Sequence, residues 1–209
     1  MGQLSEGPDR QSAAGLQHPP EQRSRLELAS IEETASSLAE LQVAPSLASL
    51  NIFRALVRFP RIARLVTEPT APLMTRGILP PRLRELIILR IAWLNRCEYE
   101  WVQHYKIART LGEDSEFFEA ARKGPAVASS AAERAVLELA DCLSGRSQVS
   151  DAAYARWRDA LGGDEQLLEA AAVAGAWTLV AYILKVAAIP LEEGQQRWPP
   201  DGTEPADPP

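Results

Sequence analysis

Residues 81–112 read PRLRELIILRIAWLNRCEYEWVQHYKIARTLG. Proline fits the first turn of a helix, so Pro80-Pro81 opens one here. From Leu86 to Leu94 that helix is apolar all round except for Arg90, which places it at the centre of a bundle. After Asn95-Arg96 a second helix runs from Cys97 and stops at Gly112, a favoured helix-ending residue. Between the termini no Val, Ile or Thr run alternates with polar residues, and no Asn-Gly or Asp-Gly pair marks a hairpin. The fold class is all-α.

Working outward, helices are expected at Ile31–Leu41 and Leu50–Phe59, with Pro60 opening a third that Pro69 and Pro72 interrupt before Met74. Asp114 caps a short helix holding Phe117 and Phe118. Ser130 and Glu133 form a capping box, and Ser150 caps a helix with Tyr154 and Trp157. Asp164 opens a long Ala-rich helix that ends before Pro190. Its uncharged stretch from Ala170 to Leu184 falls short of the roughly 20 apolar residues a bilayer span needs, so it reads as a buried helix.

The chain has 209 residues, 46% hydrophobic and 24% charged, enough for one domain. Residues 1–24 are polar and proline-bearing and are expected to be a disordered tail, as are residues 197–209, leaving residues 25–196 as the domain. The start of the sequence lacks a basic segment followed by an apolar run, so a cytoplasmic location is expected. With 28 acidic against 22 basic residues the net charge is −6. That balance gives no electrostatic footprint for nucleic acid or an anionic membrane, and a small-molecule substrate is the expected partner.

Only two His (18 and 104) and two Cys (97 and 142) are present, too few for a zinc-finger ligand set or a disulfide scaffold. His18 lies in the expected tail, and Cys142 sits on the core side of an amphipathic helix. Cys97, Glu100, Trp101 and His104 occupy positions i, i+3, i+4 and i+7, on one helical face. Glu100, four residues before His104, is expected to orient the imidazole, and Glu85 starts the most apolar helix, where a carboxylate either stays neutral by desolvation or needs a partner such as His104 or Cys97. Arg90, a charge inside an apolar run, must pair with Glu85 or a substrate carboxylate. Tyr99 and Trp101 are candidate substrate contacts, although Trp101, with Trp93, Trp157 and Trp177, also reads as a core or subunit-contact residue. No metal and no cofactor is expected; a Cys97–Glu100–His104 metal site would have only one His.

The stretch from Leu79 to Gly112 resembles the core of the carboxymuconolactone decarboxylase superfamily, whose other branch is the alkyl hydroperoxidase D-like proteins. The peroxidase branch is marked by E-x11-C-x2-C-x3-H. Glu85, Cys97, Glu100 and His104 fall in that register, with Glu100 where the second cysteine would stand. A peroxidase needs one thiolate to attack and another to resolve. The resemblance therefore implies the decarboxylase-like branch, a cofactor-free lyase in which a β,γ-unsaturated lactone acid loses CO2 and a protein acid reprotonates the dienolate. On that basis His104 would transfer the proton, Glu100 would orient it, and Glu85 would serve as a second proton-relay group. A one-cysteine peroxidase using Cys97 and a silent ligand-binding oligomer are the alternatives. The resemblance also implies assembly as a homo-trimer or homo-hexamer.

Overall fold

The computed structural model describes residues 24–145 and 147–206; the tail expected over residues 1–24 lies outside these apart from residue 24. Nine α-helices are present among the described residues: α1 Ile31–Glu40, α2 Asn51–Leu56, α3 Pro60–Arg76, α4 Pro81–Leu94, α5 Glu98–Thr110, α6 Ser115–Lys123, α7 Ala131–Ser144, α8 Asp151–Leu161 and α9 Asp164–Ala187. No strand occurs among them.

α4 is the axis. Every residue from Leu83 to Ala92 is buried, and the helix packs against α5, α6, α7 and α9. Leu86 to Leu89 are wholly enclosed, because an element apolar on all sides can bury itself only by being surrounded. α4 ends in a Schellman motif: Cys97 N–H donates to Ala92 O at 2.8 Å and Arg96 N–H to Trp93 O at 3.0 Å, with Arg96 at φ 53°. This turn folds α5 back along α4.

The caps follow the sequence. Asp114 accepts from the amides of Glu116 and Phe117, Ser130 from Glu133, and Ser150 from Ala153. The Glu133 carboxylate closes on Ser129 rather than on the cap residue, and its other oxygen meets Arg82 at 2.8 Å.

Two expectations are corrected. Pro69 and Pro72 do not break α3, which is continuous from Pro60 to Arg76. The carbonyls their missing amides would have bonded belong to Leu65 and Glu68, both on the solvent face, where water can satisfy them. The expected C-terminal tail is instead anchored to the domain at residues 198–201. Trp198 is buried against Trp93 and Trp101 with ring centroids 5.8 and 6.2 Å away, Pro199 O accepts from the Trp101 indole at 2.9 Å, and Arg122 forks onto Asp201. The acidic, proline-rich composition gave no hint of this, because one aromatic anchor outweighs many solvated neighbours.

α9 is long and apolar enough to cross a membrane by length and composition, yet its inner face, including Leu167, Val173, Trp177 and Leu184, is core.

Trp198→Ala is expected to lower stability by about 3 kcal/mol, in the range for emptying a buried aromatic site. Urea unfolding would measure it, and a loss within error of zero would show that the C-terminal segment is not docked.

Candidate active site

α4, α5 and α9 bring three side chains into one hydrogen-bonded chain. Glu85, 0% exposed, accepts from His104 Nδ1 at 2.7 Å, and the Trp177 indole donates to His104 Nε2 at 2.8 Å. An indole N–H can only donate. It therefore faces a lone pair on Nε2, which assigns the ring proton to Nδ1, toward Glu85. The second Glu85 oxygen accepts from Arg84 Nε at 3.1 Å, and Arg84 is itself tied to Met74 O at 3.3 Å. Burial pushes the Glu85 carboxyl up, but the His104 ring and the Arg84 guanidinium outweigh it and hold the group below the ordinary glutamate value. Glu85 is a carboxylate.

Glu100 has the opposite environment. It is 2% exposed, and neither carboxyl oxygen has a hydrogen-bond partner. Burial with nothing to offset it raises this carboxyl well above the ordinary value, so Glu100 is a neutral acid. The expected pairing of Glu100 with His104 is not made; Glu85, from another helix, takes that place. Two residues four apart on a helix share a face, but the ring of His104 points across to α4 and α9.

Both Glu100 and His104 line a cavity of about 690 Å³. Its walls come from the segment after α1 (Leu41, Val43, Leu47), from α2, α3 and α5, and from Trp177, Val180 and Leu184 of α9. A smaller depression of about 400 Å³, between α4, α7 and α9, is lined by no acid, imidazole or thiol.

The remaining candidates separate into those at the cavity and those away from it. Tyr99 lines the cavity, with its hydroxyl donating to Glu192 Oε1 at 2.5 Å and accepting from the Ile52 amide at 3.2 Å. Arg90 does not face substrate. It clamps Asp141 with contacts of 2.6 and 3.1 Å and caps the carbonyls of Ala121 and Arg122, so its charge is neutralised by α7 and the end of α6. Trp101 is fully buried beneath Trp198 and is core. Cys97 sits at the start of α5, buried among Ile52, Ala63 and Leu184 and outside the cavity wall. Burial pushes its thiol well above the ordinary range. Cys97 and Cys142 are both free. Among the described residues no three His, Cys, Asp or Glu side chains converge as metal ligands would.

Two residues were not singled out from the sequence. Trp177, read as core or subunit contact, caps the His104 ring; the available signal was that a buried indole needs an acceptor. Glu192 accepts from Tyr99, Gln103 Nε2 (2.5 Å) and the Asn51 amide (2.8 Å), fixing the outer wall. Nothing in the local sequence marks it.

The two glutamates give opposite pH signatures. Glu85, depressed in the fold, contributes stability that is present above its unfolded value and lost as pH falls through its folded one. Glu100, raised in the fold, must take up a proton when the chain folds at neutral pH. It therefore costs stability progressively as pH rises from about 4.5 toward its folded value, by at most about 1.4 kcal/mol per pH unit. Glu100→Gln is expected to gain stability over the parent across that window in chemical denaturation at several pH values. Parallel profiles would contradict a neutral Glu100.

Residues 60–141, from α3 into α7, match the model of the carboxymuconolactone decarboxylase family. No curated protein matches the chain. Among solved structures the fold is similar to an uncharacterized peroxidase-related protein with an alkylhydroperoxidase AhpD core from Ralstonia eutropha JMP134, at TM-score 0.67 and 19% identity over 84% of this chain and 94% of that one. It is also similar to an uncharacterized peroxidase-related protein from Silicibacter sp. TM1040, at TM-score 0.67 and 19% identity over 86% and 98%. A third structure, ATU0492 from Agrobacterium tumefaciens, a protein of unknown function described as a putative antioxidant defence protein, aligns at TM-score 0.58 and 21% identity over 66% and 96%. At these identities the likeness is one of fold. The segment matched by the carboxymuconolactone decarboxylase family model is the one that carries Glu85, Cys97, Glu100 and His104.

Proposed function

We propose that the protein is a cofactor-free small-molecule enzyme that moves protons with His104 and Glu100, acting on a lactone, unsaturated acid or related carbonyl compound. The observation that carries this reading is the pairing, on one cavity wall, of an imidazole whose tautomer is set by a buried carboxylate and an unpartnered neutral carboxylic acid. A ring nitrogen that offers a lone pair and a carboxylic acid held neutral are the acceptor and the donor that proton transfer at neutral pH needs. In this scheme His104 Nε2, freed when substrate displaces the Trp177 indole, accepts a proton from carbon. Glu100 donates to the oxygen on which the enolate charge develops, and Glu85 holds the ring and stabilises the imidazolium that forms.

The alternative, a thiol peroxidase using Cys97, has less support. A peroxide would have to reach a sulfur that is 2% exposed and whose thiolate is disfavoured by burial. A balanced cycle would further need an external thiol to reduce the sulfenic acid.

Proton exchange provides a test that does not require the natural product. With a panel of butenolides and saturated lactones in D2O, NMR should show enzyme-dependent deuterium incorporation beside the carbonyl. His104→Gln should slow it by about 100-fold or more, while Cys97→Ser leaves it unchanged. Thiol-dependent loss of cumene hydroperoxide that vanishes in Cys97→Ser, without exchange in any lactone, would replace this reading with the peroxidase one.

The reading includes self-association. On the outer face of α9, Leu168, Ala172, Gly175, Leu179, Tyr182 and Val186 recur at alternating steps of four and three residues, the spacing of a helix-packing seam. Leu168, Tyr182 and Val186 are 64%, 53% and 73% exposed in the single chain, and a Cβ at Gly175 would meet nothing within 4 Å. Sedimentation velocity at micromolar concentration should show a homo-trimer or homo-hexamer that Leu168→Glu with Val186→Glu dissociates. A monomeric parent would refute it.

A further inference from the structure

The chemistry of the cavity wall selects among the substrates that the proposed function leaves open. Most of the lining is aliphatic or aromatic, including Leu47, Phe53, Val66, Ile107 and Val180. Arg76 is its one cationic side chain among the described residues. Arg76 is exposed at the end of α3, and the wall also carries Glu68, likewise exposed, so a substrate anion at the mouth would meet both signs of charge in a solvent-screened setting. The two buried guanidinium groups of α4 are already committed. Arg84 serves Glu85 and Met74 O, and Arg90 serves Asp141 and two carbonyls.

A carboxylate brought inside would thus lose its hydration without gaining a cation, a cost of several kcal/mol for an unpaired ion. Glu100, by contrast, lacks an acceptor. As a neutral acid it has one O–H to give, and both its oxygens are buried and unpartnered. An uncharged carbonyl oxygen entering the cavity would supply the missing partner, and an apolar body would cover the aliphatic wall.

We infer that the cavity takes an uncharged carbonyl compound, such as a lactone, ester or ketone with an apolar tail, whose carbonyl oxygen accepts from Glu100, and that it excludes carboxylate substrates. This rests on the acid–base reading and narrows it. The proton moved would come from a carbon beside a neutral carbonyl, and loss of CO2 from a substrate carboxylate would not be the reaction.

The test uses one carbon skeleton in two charge states, with isothermal titration calorimetry on the full-length protein at neutral pH. γ-Decalactone is expected to bind at least about tenfold more tightly than its hydrolysed form, 4-hydroxydecanoate. Glu100→Leu should weaken lactone binding by about tenfold, as expected for a lost buried hydrogen bond. Glu100→Gln, which keeps an N–H donor, should retain most of it. Equal or tighter binding of the carboxylate, binding of neither probe, or lactone affinity indifferent to Glu100→Leu would each overturn the inference. The outcome is separable from that of the acid–base reading. Lactone binding without His104-dependent exchange would leave this inference standing and remove the reading, whereas exchange in the carboxylate alone would do the reverse.

Discussion

A carboxylate with no solvent exposure must find partners inside the protein or take up a proton, and Glu85 stands in the second turn of the most enclosed helix of the fold. Its solution constrains three other elements. One oxygen takes Arg84, whose guanidinium also reaches Met74 O and so ties the end of α3 to the start of α4. The other takes His104, which fixes how α5 lies along α4. Because the ring then offers a lone pair on its far side, the best neighbour there is a donor with a large apolar body, and Trp177 of α9 meets both demands. Loss of one partner would leave a charge or a polar ring edge stranded in the core, which is far more costly than losing an exposed ion pair. The stability of the helical core and the alignment of the candidate catalytic ring are the same packing problem.

The two glutamates show how environment rather than residue type assigns a role. Glu85 and Glu100 are both buried, but the first has an imidazole and a guanidinium and the second has neither. One is held as a base-like anion that never meets the cavity, the other as a neutral donor that lines it. The position of Glu100 corresponds to the second cysteine of the peroxidase pattern. Replacing a thiol there with a carboxyl removes the partner that a Cys97 sulfenic acid would need, and it puts a proton donor in the same wall. The change acts on both chemistries at once.

What could be read from the sequence was what depends on near neighbours. The proline start of α4, the Asn95-Arg96 turn, the caps at Asp114, Ser130 and Ser150, and the shared face of Glu100 and His104 all follow from spacing within a few residues. Apart from the prolines inside α3, the misreadings came from partners far along the chain. Arg90 required a counter-charge, but nothing local singled out Asp141, 51 residues away. Trp101 is sealed by Trp198, and the C-terminal segment looked like a tail because its one anchor is outnumbered by prolines and acids. Helical spacing and the family resemblance both pointed to Glu100 as the partner of His104, whereas Glu85, the other candidate, makes the contact from α4.

The division of labour along the chain follows from the same geometry. Residues 60–141, the family segment, supply Glu85, Glu100 and His104, but they do not close the cavity. Leu41 to Phe53 form one wall from before that segment, and Trp177, Val180 and Leu184 form another from after it. These flanking parts are held by their own contacts: Asn51 bonds Pro190 O and Glu192, and Arg25 N–H bonds Ala187 O at the end of α9. Under the proposed function, side chains on these walls would touch a ligand without carrying the proton chemistry, so their size and polarity can change while the Glu85–His104 pair stays intact. Trp177 is the exception, since it both lines the cavity and caps the ring. Under the proposed function it is the residue through which a ligand's arrival would reach His104, because an apolar body that moved the indole would also uncover Nε2.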